Sequence, residues 1–234
     1  MNIAQPYSDA KTIVDKPTSK SSQQVLADFA AFNLSTVTEG DIVNFLDNDF
    51  LGEGLELQGA TLPGFTANPP FLNNVTDPLL KAFAQIVHGY WTQLARTVNE
   101  SALCSIYPGG TCESTFIPLN YTFVIPGGRF REQCLEFSND YLFEADEVLV
   151  DYWDSYWIIQ GLLKSELYDT VNGTLQNFMD EIQDFGFIPN GGRTYCEFVV
   201  FILVLLHRLT CVDLDRSQPP LFVHVSTEHS IIPR

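Results

Sequence analysis

The sequence predicts an all-α architecture with long connecting loops. Three observations carry this reading. A capped amphipathic pattern begins at Asp77, a second helical pattern ends at Gly186, and the stretches between them are rich in Gly and Pro without the apolar–polar alternation of strands.

Asp77 and Pro78 read as an N-cap and first helical position. Leu79, Leu80, Phe83, Ile86, Val87, Tyr90, Trp91 and Leu94 then recur at helical spacing. An apolar stripe of this kind is expected to face the core. The second long helix runs from about Leu167 through Val171, Leu175, Phe178, Met179 and Ile182 to Phe185, with Gly186 as its stop. Shorter helices are expected at Ser22 to Phe32 and around Tyr156 to Leu163. Gly52 to Pro70 and Tyr107 to Gly128 read as loops, where a site would be expected.

The chain has 234 residues, enough for one good core or two small ones, and its 45% apolar and 13% aromatic content is that of a folded protein. With 12 basic against 29 acidic residues, its formal charge of -17 would repel phosphate backbones and anionic lipid surfaces, so no nucleic-acid partner is expected. The polar start, Met1 to Lys20, lacks a secretory signal. Sequons nevertheless begin at Asn33, Asn74, Asn99, Asn120 and Asn172, where chance supplies about two, and point to a secreted or extracellular-facing protein. Cys104 and Cys112 flank the turn-prone Tyr107, Pro108, Gly109, Gly110 and either close a short disulfide loop or remain thiols. The longest apolar run, Phe198 to Leu206, is about half of what a membrane-spanning helix needs.

Four segments carry chemistry. Pro126, Gly127, Gly128, Arg129, Phe130, Arg131, Glu132 sets two permissive glycines before a guanidinium whose planar donors suit sugar hydroxyls or a carboxylate. Tyr152, Trp153, Asp154, Ser155, Tyr156, Trp157 adds aromatic faces and a carboxylate able to accept two hydroxyl hydrogen bonds. Ile188, Pro189, Asn190, Gly191, Gly192, Arg193 follows a helix end. Arg216, Ser217, Gln218, Pro219, Pro220 completes the set.

In this order the four segments resemble the trehalase family of inverting glycoside hydrolases. The likeness extends back over Gln5 to Phe29 and through the Asp77 helix. The resemblance implies a partial (α/α)6 toroid and hydrolysis of α,α-trehalose to two glucose molecules, with no metal or cofactor. It implies that Arg129 contacts the sugar in the catalytic subsite with Trp153 and Asp154 beside it, and that Asn190, Arg216, Ser217 and Gln218 add hydroxyl contacts. Glu132 and Arg131 brace the loop in this reading.

Inverting hydrolysis needs a protonated carboxyl beside the leaving oxygen and a second carboxylate that activates water on the opposite face. The family's Glu-Ser-Gly-Trp-Asp acid segment and its more C-terminal base have no match here, and the resemblance gives Asp154 a holding role instead. The expectation is the N-terminal portion of a single catalytic domain, inactive by itself; a non-catalytic carbohydrate-binding fragment is the alternative.

Two stretches interrupt the resemblance, at 134–151 and 196–213. Each replaces one Tyr by a run that begins with Cys and ends with Val-Asp. A Tyr codon TAT split after its first base by a translated intron would begin with T-GT, Cys, and end with G-AT, Asp. Both stretches are therefore expected to be retained introns, with a third read from Val223 onward. Elsewhere His88, His207, His224 and His229 lack metal-ligand spacing, no CxxC pair occurs, and no nucleophile elbow, phosphate loop or dinucleotide fingerprint is present.

Overall fold

The computed structural model describes residues 13, 15–33, 36–126, 152–189 and 191–193. Among them the chain is mainly helical but also holds a small sheet. In order the elements are α1 (Ser22–Ala30), α2 (Glu39–Asp49), β1 (Leu57–Gly59), α3 (Pro78–Gly89), the single turn α4 (Trp91–Leu94), β2 (Ala95–Val98), β3 (Phe123–Val124), α5 (Tyr152–Lys164) and α6 (Tyr168–Phe185). Short 3-10 turns occupy Pro70–Asn74 and Glu100–Ala102. The chain divides into two compact units. One contains Met1–Glu56, Asn99–Pro118 and Arg193–Arg216, and the other Leu57–Val98, Leu119–Gly192 and Ser217–Arg234.

In the first unit α1 starts at Ser21, whose hydroxyl accepts the Gln24 N–H. Helix α2, which the sequence reading did not anticipate, starts with a reciprocal capping box: the Asp41 N–H donates to the Thr38 hydroxyl while the Thr38 N–H donates to the Asp41 carboxylate. Those hydrogen bonds from Thr38, the backbone one foremost, hold the Asp41 carboxyl below its usual range. The two helices bury Val25, Phe45, Leu46 and Phe50 together, with Phe29 and Phe32 packed edge-on or tilted around Phe45. Lys20 reaches Asp28 and Asp49 at 2.8 Å each and ties the start of α1 to the end of α2. Cys104 and Cys112 are joined as a disulfide across the Gly109 turn, so of the two alternatives open in the sequence the bonded one holds.

In the second unit the strands form an antiparallel sheet in the order β1-β2-β3, pairing Leu57 with Val98 and Ala95 with Val124. This corrects the all-α expectation, because β1 and β3 lie inside stretches read as loops. Strands of two to four residues cannot display a period, and their partners are distant in sequence. Helix α6 lies against the β3 segment. A Cβ on Gly173 would stand 2.9 Å from Tyr121 Cβ, so only a glycine permits this approach. The Asn177 side chain then completes the pairing, accepting the Tyr121 N–H and donating to the Tyr121 carbonyl at 3.0 Å each.

Two helix ends are informative, of which the sequence anticipated the Gly186 stop. Gly186 adopts φ 83° and its N–H returns to Ile182, as its position after Phe185 predicts. Between α5 and α6 the chain turns through Glu166 at φ 58°, with Glu166 N–H bonded to Leu163 O and Leu167 N–H to Leu162 O. This is the Schellman pattern with a glutamate where glycine is usual.

The Asp77 helix departs from expectation in two ways. Its cap is as read, with the Asp77 carboxylate accepting both the Leu79 and Leu80 N–H groups at 2.9 Å. The helix nevertheless ends at Gly89, and α4 and β2 follow where one continuous helix to Leu94 was expected. Its apolar stripe is also exposed rather than core: Leu79 is 82% exposed, and Leu80, Phe83, Ile86, Val87 and Tyr90 are exposed with it. The buried residue of α3 is His88, nine positions after Leu79 and half a turn around the helix. Its ring stacks on Phe65 at 4.8 Å and meets the edge of Phe71, so polar bonding and ring packing orient α3 with its apolar face outward.

Candidate functional site

Of the residues singled out as sugar contacts, Trp153 and Asp154 fall in the first turn of α5, which extends further toward the N-terminus than the expected Tyr156 start. Successive positions in that turn keep an aromatic residue and a carboxylate within one short stretch of backbone. The unpaired N–H groups of a helix start favour a carboxylate there. Asp154 is partly exposed, whereas Ser155 and Ile159 on the same helix are buried and anchor it. Gly161 sits against Trp91: a Cβ there would lie 2.7 Å from the indole ring, so the close packing of α5 on α4 depends on this glycine. The Trp153 side chain, Arg129, Asn190, Arg216, Ser217 and Gln218 lie outside the described residues, as do Arg131, Glu132 and the stretches 134–151 and 196–213.

Arg193, the last residue of the Asn-Gly-Gly-Arg segment, is a buried anchor. It is 1% exposed. Its guanidinium pairs with the Asp15 carboxylate at 3.4 Å and with Glu56 at 3.6 Å, and donates to the Asp15 carbonyl and the Thr115 hydroxyl. The Phe116 ring lies 5.6 Å away and adds a cation–π contact. Ser114 donates to the same Glu56 oxygen at 3.1 Å. Next to it, the Glu113 carboxylate accepts the backbone N–H groups of Ser22 and Gly109. This constellation joins the N-terminal segment, residue 56, the 113–116 strand-like stretch and residue 193 through charge and hydrogen bonds. Sequence reasoning did not assign it, and the one signal available was an arginine following paired glycines.

A second group missed from sequence is Glu181 on α6. It is buried, and loss of solvation, reinforced by the neighbouring Asp180 charge, pushes its carboxyl up to about 8. Among the described residues no group of three metal-ligating side chains occurs, and no helix is long and apolar enough to cross a membrane.

Comparison with known proteins agrees with the segment pattern. The trehalase family profile matches residues 5–229. A trehalase from Dictyostelium discoideum is 38% identical across 98% of this chain, which covers 33% of that protein. The trehalases of Oryctolagus cuniculus and Homo sapiens are 34% and 33% identical over 94% of the chain, each covered to 32% of its own length. The chain thus spans about a third of the length of these relatives, and over nearly all its residues it belongs to the trehalase family.

Proposed function

We propose that this chain is the N-terminal portion of a single trehalase catalytic domain, a part of an (α/α)6 toroid, and that the complete domain hydrolyses α,α-trehalose to two glucose molecules with inversion. The observation that supports this most is the order of the four segments within a family match running from residue 5 to 229. Arg129, Trp153 and Asp154 are assigned to one sugar ring and Asn190, Arg216, Ser217 and Gln218 to hydroxyl contacts. In this role the Asp154 carboxylate accepts hydroxyl hydrogen bonds, and the indole of Trp153 offers an apolar face to a sugar ring.

The acid and base are assigned outside this sequence. An inverting pair of carboxyl groups stands roughly 6.5 to 9.5 Å apart across the scissile bond, and Asp154 is given a holding role, not either of these. The stretches 134–151 and 196–213 are read as retained introns, which separate Arg129 from Trp153 and Asn190 from Arg216. The five sequons and the Cys104–Cys112 disulfide support an extracellular-facing location.

The direct test is incubation of the purified chain with trehalose, reading glucose release and, separately, binding by calorimetry against maltose as control. No glucose release is expected. Trehalose binding that weakens at least tenfold in Asp154→Ala supports the assignment, and binding indifferent to Asp154→Ala and Arg129→Ala removes it. A spliced transcript joining Gln133 to Tyr-Tyr-Trp-Asp would establish the intron reading, whereas genomic sequence lacking GT and AG at those codons would end it.

A further inference from the structure

We propose that Asn74 is an attachment site for an N-linked glycan, and that the fold sets it apart from the other described sequons. The segment Asn74, Val75, Thr76 lies between the Pro70–Asn74 turn and the Asp77 cap of α3. Leu72 is buried and anchors the turn. The Val75 N–H returns to the Leu72 carbonyl, and Val75 itself is extended at φ -91° and ψ 104°. Asn74 and Thr76 are both exposed. Among the described residues nothing hydrogen-bonds the Asn74 side-chain amide or the Thr76 hydroxyl. A bulky, hydrated glycan at this position displaces no contact.

The other sequons have commitments. Asn99 is half-buried; its amide donates to the Leu55 carbonyl at 3.2 Å and accepts the hydroxyl of its own Ser101 at 2.7 Å. Asn120 donates to the Asp180 carboxylate at 3.1 Å. Asn172 sits within α6, where Thr174 is buried and gives its hydroxyl to the Thr170 carbonyl. The Asn33 sequon runs into residues 34 and 35, outside the described residues. The sugar donor is a lipid diphosphate-linked oligosaccharide of the secretory compartment. In the transfer Asn74 Nδ2 bonds to C1 of the first sugar, the C1–O bond to the diphosphate breaks, the amide gives up one proton and the lipid diphosphate leaves. Transfer precedes folding, so the fold selects afterwards. A chain modified at Asn74 keeps every contact, whereas one modified at Asn99 folds against the loss of its hydrogen bonds. The inference rests on the extracellular-facing reading and does not require trehalose to bind.

The test expresses residues 1–234 behind a secretion signal in insect cells, with a C-terminal acceptor tag whose own glycan reports entry into the secretory compartment. Chain with a modified tag, secreted or retained, is treated with a peptide N-glycosidase in heavy-oxygen water, with and without denaturant. Each modified asparagine becomes a labelled aspartate that mass spectrometry locates. Asn74 is expected to be labelled in most molecules, at least tenfold above Asn99, and equally with and without denaturant. Asn74→Gln and Thr76→Ala should each remove one glycan, Thr76→Ser should keep it, and Asn74→Gln should leave Tm unchanged. Unmodified Asn74 in tag-modified chain, labelling of Asn99 as full as that of Asn74, or release from Asn74 only after denaturation would overturn the proposal. Because the signal supplies the compartment, these outcomes bear on the site; absence of the protein from the medium of its own source cells would count against the location alone.

Discussion

His88 Nδ1 stands 3.0 Å from the Ser165 hydroxyl, and that same hydroxyl receives the Trp91 indole N–H at 3.0 Å. The remaining ring nitrogen, Nε2, lies 2.8 Å from the Thr66 carbonyl, which can only accept. One arrangement satisfies every group: the proton is on Nε2, Ser165 donates to Nδ1, and Trp91 donates to Ser165. A single serine therefore joins the end of α5 to both α3 and α4. Ser165→Ala removes two hydrogen bonds and leaves the indole N–H and Nδ1 unpartnered, and is expected to cost about 2–3 kcal/mol in urea unfolding. Nitrogen NMR of the folded chain should show the Nε2-protonated tautomer at His88; the Nδ1 tautomer would contradict the network.

Arg193 pairs with two buried carboxylates. Arg193→Met leaves Asp15 and Glu56 buried without their counter-charge, for an expected loss of about 3–5 kcal/mol. Lysine carries the charge but not the fork of donors, so Arg193→Lys should recover less than half of that loss. Denaturant midpoints of the two variants decide this, and a loss below about 1 kcal/mol in Arg193→Met would show that the cluster contributes little.

The Glu181 carboxyl, pushed up to about 8 by burial, makes stability fall with rising pH. An unfolded glutamate ionises near its ordinary value of 4.5 while the folded one stays protonated, so the unfolded state binds fewer protons between the two values. This destabilisation is absent below about 4.5, grows as pH rises toward 8, and then levels. Glu181→Gln should raise Tm at pH 8, by an amount on the order of a few kcal/mol in stability, and change it little at pH 4. An equal effect at both values would dissociate it from ionisation.

Glu166 occupies a left-handed position that glycine adopts without penalty. Glu166→Gly is expected to stabilise the α5–α6 turn by about 0.5–1 kcal/mol, the relief of side-chain crowding exceeding the added freedom of the unfolded chain. Thermal melts of the two proteins provide the comparison.

Local chemistry was legible in the sequence where a residue acts on its immediate neighbours. Asp77 with Pro78 marked a helix start, and Gly186 marked a stop, because caps involve contacts within a few residues. The α2 helix carried a readable Thr38 to Asp41 signal, with Ile42, Phe45 and Leu46 at helical spacing after it, which the sequence reading passed over. The direction of the α3 stripe was not legible, since periodicity reports that a face is apolar and not what lies opposite. Pairing of Leu57 with Val98 and Ala95 with Val124 joins segments far apart in sequence, which short strands do not announce. At the candidate site the aromatic–carboxylate run from Tyr152 was recognisable as a pattern, and the structure adds that Trp153 and Asp154 begin a helix. Arg193 stood beside the recognised segment yet serves the interior, a distinction that needs burial and partners.

The Cys104–Cys112 bridge closes a loop whose ends are eight residues apart, and Glu113 follows directly. Closing such a loop removes roughly 2–3 kcal/mol of freedom from the unfolded chain in the entropic account. The carboxylate that collects the Ser22 and Gly109 N–H groups is therefore presented directly after a covalently narrowed segment. Reduction returns that freedom to the unfolded chain, so the thiol–disulfide state of one small loop bears on the stability of the first unit.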